Sequence, residues 1–599
     1  LELKPSPYKE LSQTLRVLGT RVVAERSNAL GLLTVVESPQ VPFRHAPGLS
    51  LNATQEPPAQ LGIFTDGEGL SALTHMEGGS EALGYLGYLT SAAPYYLLPA
   101  PRVLVLGAGA GSDVLQALHH RAASIDAVEL NPALVRLVRE EFARFSGDPY
   151  GMDGVKLHVA EARGFAASTE QRFDVIQLAL LDAFGASSAG LYALAETYLY
   201  TAEAFHEYLK LLNPEGILSI TRWVSLPPRD ILKLFATATL AMEREGMQPS
   251  ASLALVRGWK TITLLAKKGV FTPEQIEALR RFCAERSFDL EYYPGIRREE
   301  ANRYNVLRRS DFFGAAQAIL SDERWQFIER YKFDISPATD DRPYFFQSFK
   351  WRSLPELWAM REQGGLSLME WGYPVLVVTL LQAVPISMLL IAAPLFASRK
   401  IRQAMRSPLA WRTAAYFAAI GFAFMFVEIA FIQKFRLFLT HPLYAVAVVL
   451  AAFLFFAGAG ARLSESATGN VPRRLRGVVT VIAILALGYV FLLPSIFKPL
   501  MFLPDAAKIA IAVALIAPLA FAMGVPFPSG LVLTERRLPE LIPWAWAVNG
   551  CASVSGAVLA TVLAIHFGFT ALIAGAVGLY FLAAMVLAGL ARISHRGAG

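Results

Sequence analysis

The sequence has few cysteines and few charged residues for its length. Its 599 residues include 2 cysteines, and 17% are charged whereas 54% are hydrophobic. Cys283 and Cys551 are too few for a disulfide framework, and no spacing typical of a zinc site occurs, so we expect no metal. The apolar content also excludes a disordered chain. A leader pattern is missing and the chain begins at Leu1, so we expect a fragment or a processed product.

Acidic residues are especially scarce in the last part of the chain. Residues 372–599 hold 17 Lys and Arg but 5 Asp and Glu, which leaves 38 basic and 44 acidic residues before them. This part also has long apolar runs that a water-soluble domain could not cover, and each approaches the ~20 residues that cross ~30 Å of hydrocarbon. We predict an all-α transmembrane bundle of about seven helices, at roughly 372–397, 413–433, 443–460, 477–497, 508–532, 543–565 and 569–590.

Before this membrane part, the pattern of apolar residues divides the chain into three. Residues 1–95 alternate β-rich stretches with turns and predict a small β cap. Residues 96–270 contain short apolar runs separated by helical stretches, as a buried parallel sheet requires. Residues 271–371 indicate a mixed extension and juxtamembrane linker. The strands predicted in the second part are 103–106, 124–128, 155–159, 173–178 and 217–221, with a hairpin at 253–256 and 261–265.

Three glycines, Gly107, Gly109 and Gly111, follow the first of these predicted strands. At a turn from a strand into a helix, glycines let the backbone approach a ligand without a Cβ in the way. Ser112 stands where a dinucleotide fingerprint has its third glycine, which disfavours NAD. Glu129 ends the next strand, in position to accept hydrogen bonds from both hydroxyls of a ribose.

Glu161 follows the third strand, in position to reach an adenine amine. Together with the glycines and Glu129, it predicts a site for S-adenosylmethionine or a related nucleoside. The alternative is a set of turn glycines and solvated carboxylates with no ligand.

The order of these motifs resembles the spermidine synthase family of aminopropyltransferases, over about residues 10–270. The resemblance implies an α/β class I methyltransferase-like (Rossmann-like) domain with a small N-terminal β cap. It also implies S-adenosylmethionine or decarboxylated S-adenosylmethionine as the donor. The tail is similar to the membrane region of bacterial spermidine-synthase-like fusion proteins. The motifs are LGAGAG at 106–111, VELNP at 128–132, AEAR at 160–163, NPEGIL at 213–218, FMFVEIAFIQ at 424–433 and GVPFP at 524–528.

The chain departs from this family at the acidic residues that carry the reaction. In the family, one Asp after the fourth strand removes the proton of the amine, and another in the glycine loop holds the propylamine of the donor. These positions are Ala179 and Ala110 here. A second Asp of the family's run is retained as Asp182, which we predict to orient the acceptor. The alternative acidic or phenolic groups are Asp113, the Asp340–Asp341 pair and Tyr192.

Polar residues within the apolar segments predict a site inside the bilayer. Glu428 lies in the second segment, where a charged carboxylate is costly unless it is protonated or paired. It is predicted to bind a cationic headgroup or to relay protons, with Gln433, His441 or Asn549 as partners. A neutral Glu428 that hydrogen-bonds between helices and holds the bundle together is an equal alternative.

The charges of the loops raise a question of sidedness. The loops on the side of the C-terminus contain thirteen basic residues, and those on the other side contain six. The side with more basic residues is normally cytoplasmic, so a cytoplasmic C-terminus is predicted. Seven crossings then place the soluble domain outside the cytoplasm, whereas a nucleoside donor favours the cytoplasm. The sequence leaves both placements open.

The function predicted from these observations is an integral-membrane transferase of the bacterial inner membrane. It transfers an aminopropyl or methyl group to an amine. The alternative is a catalytically inactive synthase-like domain that acts as an extracytoplasmic sensor, a transport accessory or an assembly subunit. The expected partners are the lipid bilayer, a small amine or lipid-linked acceptor, and further transmembrane segments or subunits. Nucleic acid is not expected, because the basic residues flank the membrane spans.

Overall fold

A computed structural model describes residues 6–76, 79–180, 196–359, 371–439, 442–465 and 470–592. The chain divides into two compact units, Leu1–Tyr373 and Pro374–Gly599.

The first unit contains two sheets. A four-stranded antiparallel sheet has the order β1-β2-β3-β4, and an eight-stranded sheet has the order β12-β10-β11-β9-β8-β5-β6-β7. The strands are β1 Arg21–Asn28, β2 Gly31–Glu37, β3 Gln60–Thr65, β4 Glu68–Thr74, β5 Arg102–Leu106, β6 Ser124–Glu129, β7 Val155–Val159, β8 Phe173–Leu178, β9 Leu212–Trp223, β10 Leu253–Arg257, β11 Thr261–Lys267 and β12 Asp289–Tyr292.

The larger sheet confirms the predicted Rossmann-like architecture. Strands β9, β8, β5, β6 and β7 run parallel, and β10 and β11 form the predicted antiparallel hairpin next to β9. Both faces of β5 are buried, because Leu104 and Leu106 pack into one apolar cluster while Val103 and Val105 pack into the other. This explains the continuous apolar runs in the sequence. The edge strand β12 comes from the extension and was not predicted.

Helices cover the larger sheet, and several begin at side chains that cap them. Asn131, Glu161 and Thr201 each accept a hydrogen bond from the first turn of the helix that follows. The helices of this unit are α1 Glu10–Thr14, α2 Ala93–Leu97, α3 Ser112–His119, α4 Pro132–Arg136, α5 Ala143–Ser146, α6 Ala162–Ser168, α7 Ala202–Leu211, α8 Asp230–Arg244, α9 Pro249–Ser252, α10 Pro273–Glu285, α11 Asp311–Leu320, α12 Arg324–Arg330, α13 Leu354–Ala359 and the start of α14 Gly372–Ser387.

The second unit is all-helical in the residues that the structure describes. Its helices, after the start of α14, are α15 Arg399–Ala404, α16 Pro408–Leu439, α17 Pro442–Glu465, α18 Val471–Phe497, α19 Asp505–Gly524, α20 Pro526–Glu535 and α21 Ile542–Arg592. Among the described residues, six stretches are long and apolar enough to cross a membrane, which indicates an integral membrane protein. These are Gly372–Ala397, Pro408–Leu439, Leu443–Ser464, Val471–Leu500, Asp505–Glu535 and Pro539–Ala588.

The count of six differs from the predicted count of about seven for a local reason. The last two predicted segments run together in α21, which has 51 residues and is interrupted by a non-helical backbone at Gly568 (φ 86°, ψ 166°). A glycine adopts this conformation at no steric cost, so the break needs no intervening loop. The fifth predicted segment, which is rich in proline, is divided between α19 and α20 at Val525.

Candidate functional site

A cavity of about 280 Å³ lies at the carboxyl ends of β5, β6 and β8. Leu178 ends β8, Gly107 follows β5 and Glu129 ends β6, and all three line the cavity. Strand order reverses at β5, since the chain continues to β6 on one side and later returns to β8 on the other. Ligands of open α/β sheets bind at this kind of switch point.

The three glycines of the loop after β5 all have left-handed backbones, with φ of 78° at Gly107, 59° at Gly109 and 94° at Gly111. A Cβ at Gly111 would stand 2.7 Å from the Pro149 side chain, so the position also lacks room for one. The loop therefore needs glycine both for its turn and for its packing.

The N-terminal sheet forms one wall of the cavity and is bonded to this loop. The Ala110 N–H donates to the Ser71 hydroxyl (3.1 Å), and the Ser112 hydroxyl donates to the Ala72 carbonyl (3.3 Å). On the other side of the loop, the Tyr150 hydroxyl donates to the Gly109 carbonyl (2.6 Å). None of these contacts was predicted from the sequence, because each joins distant parts of the chain.

Every backbone N–H from Gly107 to Gly111 already donates to an acceptor within the protein. The acceptors are the Val128 carbonyl for Gly107 and Ala108, the Glu129 carboxylate for Gly109, the Ser71 hydroxyl for Ala110 and the Ala108 carbonyl for Gly111, at 2.9–3.1 Å. A glycine loop that binds phosphate leaves its N–H groups to the ligand. The N–H groups from Gly107 to Gly111 are therefore not available to a phosphate.

Glu129 is buried at the cavity wall, and both of its carboxylate oxygens accept backbone hydrogen bonds. One accepts from Gly109 (2.9 Å) and the other from Asn131 (2.8 Å). Burial raises the pKa of Glu129, while the hydrogen bonds from Asn131 and Gly109 act in the opposite direction. Each oxygen has a second lone pair, so contact with ribose hydroxyls remains open to Glu129 and stays a prediction.

Glu161 lies at the start of α6. Its carboxylate accepts a hydrogen bond from the Gly164 N–H (2.6 Å) and caps α6. It is not among the described residues that line the cavity. The predicted contact with an adenine amine stays a prediction.

Asp113 is the second carboxylate that lines the cavity. It lies in the first turn of α3 and accepts a hydrogen bond from the Gln177 side-chain amide. Gln177 also donates to Gln116 (3.0 Å) and accepts from the Tyr95 hydroxyl (2.7 Å), so a buried polar network supports the carboxylate. Burial raises the pKa of Asp113 to about 6.

The cavity wall is acidic. Its described lining includes the carboxylates Asp113 and Glu129 and contains no Lys or Arg. His45 is also in the wall, and burial together with the nearby Lys260 lowers the pKa of His45 to about 4, so its ring is neutral at pH 7. The charge of the site therefore favours a cationic ligand.

The other acidic groups named from the sequence lie elsewhere. Asp340 forms a two-pronged ion pair with Arg163, with both distances at 2.6 Å, and does not line the cavity. Ala179 does line the cavity, in a position where an acidic side chain would face it. Asp182 and Tyr192 lie outside the residues that the structure describes.

The structure describes three of the four polar residues that are predicted to form a site inside the bilayer, namely Glu428, Gln433 and Asn549. Glu428 is buried in α16, with 5% of its surface exposed. The Asn549 amide of α21 donates to the Phe417 carbonyl (3.1 Å) and would lie 2.9 Å from a Cβ on Gly421, which is seven residues, or about 10 Å along the helix, before Glu428. Gln433 is five residues beyond Glu428, or about 140° around α16. Asn549 therefore joins α21 to α16. His441 lies outside the described residues, and a shared site of these residues with Glu428 stays a prediction.

Comparisons with known proteins find similarity over part of the chain. Residues 86–226 match the spermine/spermidine synthase domain. A polyamine aminopropyltransferase of Korarchaeum cryptofilum is 25% identical over 117 residues, which are 20% of this chain and 34% of that protein. Polyamine aminopropyltransferase 2 of Hyperthermus butylicus is 28% identical over 116 residues, 19% of this chain and 36% of the relative. The chain thus spans about a third of the length of these relatives.

Among solved structures, spermidine synthase from Thermotoga maritima is similar with a TM-score of 0.32 and 15% identity, over 49% of this chain and 88% of that one. Residues 86–226 are therefore similar to the spermine/spermidine synthase domain, and six candidate membrane spans follow them in the part of the chain that the structure describes.

Proposed function

We propose that the first unit binds decarboxylated S-adenosylmethionine and transfers its aminopropyl group to an amine. A single observation carries the proposal: Asp113 and Glu129 line one cavity, without a Lys or Arg among the described residues of its wall. Both the donor and the acceptor of this reaction are cations, and opposite charges in an enclosed site attract strongly. The match of residues 86–226 to the synthase domain supports the same reaction.

The choice of donor follows from what the site offers to a carboxylate. S-adenosylmethionine carries a carboxylate, whereas the decarboxylated form has an amine and a sulfonium and no anion. The N–H groups from Gly107 to Gly111 are all in use, and the described part of the cavity wall has no Lys or Arg. Methyl transfer from S-adenosylmethionine is therefore the less favoured variant.

The proposed step displaces a thioether. The nitrogen of the neutral acceptor amine forms a bond to the methylene beside the sulfonium, and the C–S bond breaks with its electron pair passing to sulfur. The acceptor must first lose a proton, and a carboxylate with a pKa near 6 is suited to take it. We assign to Asp113 both this role and the attraction of the cationic donor, and we assign ribose binding to Glu129 and orientation of the acceptor to Asp182.

A catalytically inactive synthase-like domain is the second candidate. Ala179 favours it, because this side chain faces the cavity where the family has an acidic group. Such a domain would act as an extracytoplasmic sensor, a transport accessory or an assembly subunit.

Isothermal titration of the full chain in detergent tests the proposal. We expect decarboxylated S-adenosylmethionine to bind more tightly than S-adenosylmethionine, and the Asp113→Asn variant to lose this binding. Asp153→Asn, an exposed carboxylate outside the cavity wall, should bind as the wild type does. Tighter binding of S-adenosylmethionine would refute the choice of donor.

Product formation from 1,4-diaminobutane, followed by mass spectrometry, separates the two candidates. A chain that binds the decarboxylated donor but transfers nothing to any amine would support the inactive domain.

A further inference from the structure

A groove of about 510 Å³ lies between α18 and α19 on the second unit. Its described walls are apolar except at one end, where Arg474 lies. The groove is open, since the Val481 side chain in its wall is 47% exposed. The other residues that line it are Gly477, Val478, Leu485, Pro518, Phe521, Ala522 and Val525.

Arg474 is held in place by two neighbouring helices. Its guanidinium donates to the Ser464 carbonyl near the end of α17 (3.0 Å) and to the Ser529 hydroxyl of α20 (3.1 Å). Among the described residues that line the groove, Arg474 is the one charged side chain. A positioned guanidinium suits the oxygens of a phosphate, because its N–H groups form a planar fork.

The groove has the length of one membrane leaflet. From Arg474 to Leu485, α18 rises about 16 Å at about 1.5 Å per residue. This is about half of the ~30 Å of hydrocarbon in a bilayer. Arg474 follows the first residue of α18, Val471, by one turn, so the charged end of the groove coincides with the start of a candidate span.

We propose that this groove binds one anionic phospholipid, with its phosphate at Arg474 and an acyl chain along α18 and α19. Basic pockets between transmembrane helices bind anionic headgroups in this way. The proposal is independent of the transferase reaction proposed above, because the two concern different units of the chain.

Two glycines allow a matched test. A Cβ built on Gly477 meets nothing within 4 Å, so Gly477→Leu extends into the groove without disturbing the helices. Gly575 on α21 is equally open but lies outside the groove, and Gly575→Leu is therefore the control. Arg474→Gln removes the charge, and Arg474→Lys keeps it.

The measurement is native mass spectrometry of the full chain in detergent, incubated with dioleoyl phosphatidylglycerol or dioleoyl phosphatidylcholine at equal concentration. We expect the wild type and Gly575→Leu to retain phosphatidylglycerol about fivefold better than phosphatidylcholine. Arg474→Gln should bring both lipids to the same level, Arg474→Lys should keep the preference, and Gly477→Leu should lower the binding of phosphatidylglycerol.

An unchanged preference in Arg474→Gln would overturn the role of the guanidinium. Unchanged binding in Gly477→Leu would overturn the groove as the site. Thermal unfolding of each variant is recorded alongside. If Arg474→Gln does not fold, Gly477→Leu and its control decide the question alone.

Discussion

Replacing Asp113 by Asn should change stability and ligand binding in opposite directions. The carboxylate is enclosed in the cavity wall, and its pKa rises from an ordinary 3.8 to about 6 because burial disfavours the charged form. Above pH 6 the ligand-free protein therefore holds a costly charge, equivalent to at most about 3 kcal/mol of unfolding free energy. The amide introduced by Asp113→Asn carries no charge, so the ligand-free variant should be more stable than the wild type at pH 8.

The sign of the pH dependence follows from the same pKa. A carboxyl group whose pKa is raised on folding stabilises the folded state fully below pH 3.8, and this contribution is lost as the pH rises through about 6. The variant should thus exceed the wild type in melting temperature by a few degrees at pH 8, and the difference should vanish near pH 4. Glu129 titrates in both proteins and does not affect the difference.

The affinity for decarboxylated S-adenosylmethionine should fall in Asp113→Asn, although the stability rises. The ionised carboxylate attracts the cation, and a charge-assisted hydrogen bond contributes about 1.5–3 kcal/mol, or roughly 10- to 150-fold in affinity. Wild-type affinity should fall below pH 6 as a proton competes for Asp113, whereas the variant should show no such fall from this group.

The assays are thermal unfolding and isothermal titration of the full chain at pH 4, 6 and 8, with Asp153→Asn as the control for the loss of a carboxylate. A variant that melts below the wild type at pH 8 would refute the burial argument. A variant that binds the donor as tightly as the wild type would refute the role of Asp113 in binding.

Two further predictions concern the glycine loop of the site and an ion pair away from it. Gly111→Ala should weaken donor binding and destabilise the first unit by about 1–3 kcal/mol, because its new Cβ would meet Pro149 and its φ is 94°; Gly246→Ala, also at positive φ but in open space, should leave donor binding unchanged in the same titration. Asp340→Asn should lower the unfolding free energy by about 3–5 kcal/mol, because it leaves the buried Arg163 guanidinium without its carboxylate; an unchanged midpoint in chemical denaturation would contradict this.

Sequence reasoning succeeded where short-range patterns decide the structure. The parallel strands were predictable, because apolar runs such as Val103–Leu106 must be buried on both faces. The glycine loop was predictable from its spacing. Strand β12 was missed, because the four residues Asp289–Tyr292 alternate acidic and apolar side chains and gain their place from pairing with β10.

The candidate site was only partly predictable. The sequence named Asp113 as one of several alternatives, but its position depends on Gln177 of β8, which lies 64 residues later in the chain. Glu161 comes directly before α6, and a helix cap could have been inferred from this position. The same position also fits a contact with the ligand, which is the role that we predicted. The count of spans depended on Gly568, because the last two predicted segments are two helices that meet at this residue, without an intervening loop, within the 51 residues of α21.

The bonding of the N-terminal sheet to the glycine loop has a practical consequence for shortened forms of the protein. The synthase match begins at residue 86, yet Ser71, which accepts from the Ala110 N–H, precedes it. A chain trimmed to the matched segment would lose the N-terminal sheet, which forms one wall of the cavity. It would also expose the glycine loop, whose conformation the hydrogen bonds from that sheet maintain. Such a fragment should fail to hold its ligand even if every residue of the recognised domain is intact.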